Sequence, residues 1–217
     1  MTAKLAHIPL IGMVLVLLAG CAGVAPDSSQ PRALFNGRDL TGWDVVLQDG
    51  ATHDSTFTVQ DGVIHCTGQP TGYIYTRDNY QNYLLHVEWR WADAPGNSGI
   101  LLHAQAVDKV WPTCVESQLM ANNAGDIILI AGSSAADYPA NESGRSVRIP
   151  KREASSENPP GQWNQANIYC TGNTVRVYVN GVLQNTAFQV NPASGHICLQ
   201  SEGAPIEFRN ITLKPLP

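Results

Sequence analysis

Tyr83-Leu84-Leu85-His86-Val87-Glu88-Trp89-Arg90-Trp91 is the stretch that decides the fold. Side chains alternate faces along a β-strand, so residues two apart point the same way. Tyr83, Leu85, Val87, Trp89 and Trp91 make one apolar face, and Leu84, His86, Glu88 and Arg90 make the other. That is the period of a half-buried strand. Thr174 to Asn180 alternates likewise, with Val175, Val177 and Val179 inward. Asn180-Gly181 then fits a two-residue hairpin turn, with Val182 to Gln184 returning.

Further strands are expected at Thr56–Val59, Val63–Thr67, Tyr73–Thr76, Ile127–Ile130, Asn167–Thr171, His196–Gln200 and Ile206–Leu213. Asp61-Gly62 joins the first two as a hairpin. No amphipathic helix of normal length interrupts them. Many short strands with regular turn signals indicate an all-β sandwich or barrel. The polar stretch Ser133 to Gln162, with Pro139, Pro150, Pro159 and Pro160, reads as one long loop. No internal repeat and no second domain is visible.

Two segments carry polar groups where a core strand would be apolar. They are Gly96-Asn97-Ser98-Gly99-Ile100-Leu101-Leu102-His103 and Val115-Glu116-Ser117-Gln118-Leu119. In the second, Cys114, Glu116 and Gln118 share one face, and Val115, Ser117 and Leu119 share the other. A carboxylate and an amide aligned on one sheet face suit a floor that holds a sugar or a metal. The alternative is a solvated outer face.

The N-terminus reads as a targeting segment. Lys4 precedes an apolar run from Ile8 to Leu18, then Leu18-Ala19-Gly20-Cys21. A basic start, a short apolar stretch and small residues before a cleavage point make a secretory signal over residues 1–20. The four last residues resemble the bacterial lipobox, which implies lipidation of Cys21 and a membrane anchor. Ala22 after the cysteine points to the outer membrane of a bacterial envelope. Residues 21–32, rich in Pro, Ser and Asp, read as a tether, and residues 33–217 as one domain with a sizeable core. The net charge of −5 and the scarcity of Lys and Arg leave no footprint for nucleic acid. Export permits disulfides among Cys66, Cys114, Cys170 and Cys198, whose three full pairings the sequence does not distinguish. No spacing suits a zinc site.

Taken in order, Leu34-Phe35-Asn36-Gly37-Arg38-Asp39-Leu40-Thr41-Gly42-Trp43, Asn97-Ser98-Gly99-Ile100, Glu116-Ser117-Gln118, Gly161-Gln162-Trp163-Asn164, Val179-Asn180-Gly181, Gly195-His196-Ile197-Cys198-Leu199-Gln200-Ser201-Glu202-Gly203 and Phe208-Arg209-Asn210-Ile211 resemble the 3-keto-disaccharide hydrolase domain family. The likeness runs from about Ala33 to Leu216. It implies a concanavalin A-like jelly-roll β-sandwich of two antiparallel sheets with the site on a concave sheet. It also implies a carbohydrate partner and cleavage of glycosides already oxidised to a ketone at C3. One position departs: where many members carry an arginine near the end of the Asn-Ser-Gly strand, His103 stands here, followed by the insert Ala104 to Cys114.

A ketone at C3 acidifies the hydrogen on C2, so the group on C1 can leave by elimination. A base must take the C2 proton, and something must stabilise the enolate oxygen. Glu116 and His103 are the candidate catalytic residues, either of them the base. A divalent cation or Arg90 is the candidate for the enolate. Glu88 and Glu202 are the other strand carboxylates, and with Asn97, Gln118, Gln200 and Arg90 they complete the expected substrate-binding set. His65, His86 and His196 are expected to satisfy local hydrogen bonds. Trp111 and Tyr73 either stack on a sugar or belong to the core. Two other functions use this architecture: a carbohydrate-binding module without catalysis, and a structural envelope lipoprotein.

Overall fold

A computed structural model describes Met1 and residues 30–52, 56–140 and 145–217. The signal segment, Cys21 and most of the expected tether lie outside the described residues. Among the described residues, fifteen strands follow in chain order. They are β1 Arg32–Ala33, β2 Trp43–Leu47, β3 Phe57–Gln60, β4 Val63–Cys66, β5 Gly72–Thr76, β6 Tyr83–Trp91, β7 Gly99–Ala104 and β8 Cys114–Gln118. Then come β9 Ile127–Ile130, β10 Val147–Ile149, β11 Asn164–Thr171, β12 Thr174–Val179, β13 Val182–Ala187, β14 His196–Ser201 and β15 Ile206–Pro215.

They form two antiparallel sheets. The eight-stranded sheet has the order β13-β12-β11-β6-β15-β4-β3, with β1 paired to β15. The seven-stranded sheet has the order β10-β9-β8-β7-β14-β5-β2. β6 spans the expected residues, and its inward face, Tyr83, Leu85, Val87, Trp89 and Trp91, is at most 3% exposed while the residues between are half-buried. The Asp61-Gly62 and Asn180-Gly181 turns close hairpins with Gln60 opposite Val63 and Val179 opposite Val182. Both residues of each turn have positive φ, the backbone that a two-residue type I′ turn requires.

The sandwich core joins Leu85, Val87, Ile168 and Val177 of one sheet to Ile100, Leu102, Val115 and Leu199 of the other. A smaller apolar cluster lies on the opposite face of the seven-stranded sheet: Tyr73, Leu101, Ala104, Cys114, Ile130 and Cys198. That sheet is therefore covered on both sides, and every residue of β7 and β8 is buried. The reading of the β8 polar face as a solvated surface is excluded by this cover.

Two expectations are corrected. Residues 133–162 are not one loop, because β10 pairs with β9, Ile149 opposite Ile127. Polar anchors hold this segment, and hydrophobic periodicity does not register them: the Asp126 carboxylate accepts from Arg148 Nε at 2.6 Å and from the Lys151 N–H at 2.7 Å. Asn185 Nδ2 donates to the Ile149 carbonyl. The four cysteines are all free and buried. Cys114 and Cys198 face the same way, but β7 runs between their strands, farther apart than a disulfide spans.

Leu85→Ala empties a fully buried position in the longest inward face, so unfolding by denaturant should show a loss of about 2–5 kcal/mol with an unchanged m-value.

Candidate functional site

The site is built on β8. Val115 and Leu119 enter the sandwich core, which sends Cys114, Glu116 and Gln118 to the other face. Across the ladder Leu101 faces Glu116 and Gly99 faces Gln118. A Cβ on Gly99 would lie 2.1 Å from Glu116 Oε1, so only glycine leaves room for the carboxylate there. Ser98 ties the start of β7 to β14, donating from Oγ to the Gln200 carbonyl at 2.8 Å. This places Gln200 beside Glu116.

Glu116, Gln118, Gln200, Asn97 and Glu202 converge on one cleft of about 380 Å3, with Trp111, Ile128 and Ile130 as apolar walls. Asn97 Nδ2 donates to Glu202 Oε2 at 2.7 Å. Gln118 Oε1 accepts from the Leu119 and Met120 N–H groups at 2.9 and 2.8 Å, which fixes the side chain and leaves its NH2 for a ligand. Three buried oxygens of the residues lining this cleft have no hydrogen-bond partner among the described residues: Glu116 Oε1, Gln200 Oε1 and Asn97 Oδ1. Buried polar atoms are normally paired, so three orphans facing one cleft mark a place shaped for a polar ligand.

Glu116 is 3% exposed. Burial, and then the neighbouring Glu202 carboxylate, push its pKa up to about 8. Burial also raises Glu202, which is half-buried. A buried carboxyl next to a second raised carboxyl favours keeping one proton between them. Among the described residues, no three His, Cys, Asp or Glu side chains group as a metal cage.

Three expected site residues lie elsewhere. By alternation His103 should share the face of Leu101 and Glu116. A bulge where β7 meets β14 changes the phase: His196 pairs with Ala104, and Cys198 with Leu101. His103 takes φ 57°, its ring meets Tyr83 edge-on at 5.7 Å inside the sandwich, and Ala104 takes the outer face instead. Its Nδ1 donates to the Pro192 carbonyl at 3.1 Å. Burial lowers its pKa to about 4, so the ring is neutral and remote from the cleft.

Glu88 and Arg90 belong to β6 in the other sheet, on its outer face. Glu88 accepts from Arg209 Nε at 2.7 Å and Asn210 Nδ2 at 2.8 Å. Arg90 pairs with Glu207 and lies over the Trp163 ring, which Arg209 also covers. Both are structural there. His65 pairs with Glu207, His86 with Asn167, and His196 Nδ1 with the Thr76 carbonyl. Tyr73 is core and donates to the Lys109 carbonyl at 2.8 Å, pinning the 105–113 insert, whose Trp111 walls the cleft. Ile128, Ile130 and Ser146 also line it. Nothing in the apolar run Ile127–Ile130 distinguishes its two faces before both are known to be covered.

A larger cavity of about 640 Å3 opens between edge strands β2 and β3. Its acids are already engaged, Asp39 by the Thr41 N–H and Asn36, and Asp44 by Arg77. None of the buried orphan atoms among the described residues lies there, which makes the β8 cleft the stronger candidate.

The 3-keto-alpha-glucoside-1,2-lyase-like domain matches residues 30–214. A protein of Parabacteroides distasonis assigned to the glycosyl hydrolases is similar at 25% identity, covering 86% of this chain and 94% of its own, with a TM-score of 0.65. The β-glucanase of Bacillus licheniformis shares the fold at 14% identity and TM-score 0.59, covering 89% of this chain and all of its own. A carbohydrate-binding module of Bacillus subtilis shares it at 10% identity and TM-score 0.57, covering 80% and 95%. No curated protein matches the chain. The sandwich is thus the concanavalin A-like jelly roll, and by the extent of the match the chain belongs to the 3-keto-alpha-glucoside-1,2-lyase-like domain family.

Proposed function

We propose that this protein is a carbohydrate-active enzyme that cleaves the glycosidic bond of 3-keto-glucosides by elimination across C1 and C2, followed by addition of water. The observation that carries this reading is the buried Glu116 carboxyl, held near pKa 8 beside Glu202 among unpartnered amide oxygens. Burying a carboxylate costs stability, and strongly perturbed acids in clefts concentrate at catalytic sites.

Glu116 lies deeper, beside the amides of Gln118 and Gln200, and is assigned to C2. Its high proton affinity suits removal of a carbon-bound proton near neutral pH. The Gln118 NH2 donates to the enolate oxygen forming at C3. As the C1–O bond breaks, Glu202, steadied by Asn97, gives its proton to the departing oxygen. An enone and an alcohol result. Water then adds to C1, returning its proton to Glu202, while Glu116 returns its proton to C2. The reaction starts from the tautomer in which the pair's single proton rests on Glu202 and Glu116 is ionised, and no step passes through a cation.

The likeness to a binding module and the Trp111 wall favour a second reading, carbohydrate binding without turnover. A Glu116→Gln protein separates the two. Under the enzymatic reading it loses at least about 100-fold in kcat with a 3-keto-glucoside while still binding it; an inert wild type that binds equally well supports the module. Glu202→Gln should slow single-turnover release of an alkyl leaving group and be nearly silent on single-turnover release of 4-nitrophenolate, which needs no protonation. Glu116→Gln should be costly with both. A wild-type kcat/KM profile should be bell-shaped, falling on its alkaline side near pH 8 as the pair loses its last proton.

Glu116 also couples pH to stability. Its folded pKa lies above its unfolded value, so the native state binds the extra proton and stability falls as pH rises from about 4.5 to 8. Glu202 and Glu157, also raised, act in the same direction. His103, whose pKa burial lowers to about 4, opposes this trend until its unfolded value near 6.5 is passed, so thermal melting should decline from about pH 6.5 to 8, and Glu116→Gln should restore several degrees at pH 8, at about 2–4 °C per kcal/mol.

We further propose that Cys21 carries a lipid that anchors the domain in a bacterial envelope, on the strength of Leu18-Ala19-Gly20-Cys21. Palmitate labelling in a bacterial host should mark the wild type and not Cys21→Ser.

A further inference from the structure

The cleft does not end at Asn97 and Glu202. The same two side chains border a second hollow of about 660 Å3, walled by Pro95, Met120, Ala121, Ala204 and Pro205. Two loops, residues 93–97 and 202–205, make it. Glycines let them close: a Cβ on Gly96 would fall 2.3 Å from Ala204 Cβ, and one on Gly68 would fall 2.4 Å from the Ala204 carbonyl oxygen. The Gly203 N–H donates to Gly68 at 2.7 Å, holding the second loop in place.

The two compartments differ in chemistry. The cleft has Glu116, Gln118 and Gln200 as a polar floor. The hollow, apart from the shared Asn97 and Glu202, has Asp93 as its single charged residue, and its remaining side chains are apolar. Met120 is 45% exposed, one of the few exposed large apolar side chains among the described residues. Its N–H is held by Gln118 Oε1, so the residue that fixes the cleft floor also positions Met120 at the wall of the hollow. Concave, apolar, rigidly framed hollows next to a few convergent polar groups are where small apolar ligands bind.

We infer that the hollow is the subsite for the leaving group, and that it takes an apolar aglycone, aromatic or alkyl, in preference to a second sugar. This rests on the functional reading above. The keto sugar fills the polar cleft, the scissile C1–O bond lies at the Asn97–Glu202 boundary, and the aglycone packs against Met120, Pro95 and Pro205. Burying two or three methylene-sized groups there is worth roughly 0.8 kcal/mol each, which corresponds to a 10- to 100-fold preference in kcat/KM. A second sugar gains little from these walls and must shed water from its hydroxyls.

The test uses two substrates that release primary alcohols of similar leaving ability: phenethyl 3-keto-α-glucoside and 3-keto-isomaltose. The wild type should favour the phenethyl compound at least tenfold. Met120→Gln, polar but uncharged and of similar length, should erase most of that preference, changing 3-keto-isomaltose less than twofold. Equal turnover of the two substrates, or an equal loss on both in Met120→Gln, overturns the inference and leaves the functional reading standing. A second readout separates the opposite failure. Met120 is one of three methionines, the others being Met1 and Met13, so a 13C-methyl methionine spectrum of the full chain, assigned with Met120→Leu, reports on the hollow directly. In Glu116→Gln the phenethyl compound should shift the Met120 methyl, and 3-keto-isomaltose should not. That shift in a protein whose wild type turns over neither substrate supports the subsite and refutes the enzyme. No shift with either compound overturns the subsite.

Discussion

Covering both faces of the seven-stranded sheet is the constraint from which the rest follows. One face packs on the sandwich core, and the other carries the cluster of Tyr73, Leu101, Ala104, Cys114, Ile130 and Cys198. Strands β7 and β8 therefore run through the interior, and any polar side chain they carry is removed from water. Glu116 sits at the border of that second cluster with its neighbours apolar on one side and amide-bearing on the other. Were this face wet, its carboxylate would titrate like any other and the amides around it would be satisfied by solvent. Burial supplies the high proton affinity and the unsatisfied oxygens together.

The outer face of the eight-stranded sheet shows the opposite use of the same residue types. Glu88 is partly buried, which pushes its pKa up, but hydrogen bonds from Asn210 and Arg209 outweigh this and hold it below the usual range. Glu207 is shared by His65 and Arg90, and Trp163 is covered by two guanidinium groups. Each of these charges is matched, so this part of the face is cohesive and chemically quiet. Charge pairing of this kind on a half-exposed surface adds little stability per pair, but it leaves no group free to react. An acid in the cleft differs because its neighbour is another acid.

Much of the architecture was legible in the sequence, since period-two alternation and turn dipeptides are local. β6, β12 and both two-residue hairpins fall where alternation and Asp-Gly or Asn-Gly put them, and β9 where its apolar run does. β2 and β10 were not legible: β2 lies in a segment without clean alternation, and β10 is three residues held by the buried Asp126 and by Asn185, partners distant in sequence. Within the site, Glu116 and Gln118 follow from alternation alone. His103 does not, because one bulge residue reverses the faces after it, and a bulge is a property of the pairing of β7 with β14.

The sequence by itself determined that this is an all-β chain, which face of β6 is core, and that Glu116 and Gln118 share a face. These depend on the two-residue repeat of an extended backbone. Only the tertiary structure decided which sheet each strand joins. It thereby separated Glu88 and Arg90 from Glu116, brought Gln200 and Glu202 to it from roughly 85 residues away in sequence with Asn97 from the loop before β7, and turned His103 inward. A carboxylate's reactivity depends on what surrounds it, and those surroundings come from sheet order, ladder register and the loops that exclude water, which no local pattern contains.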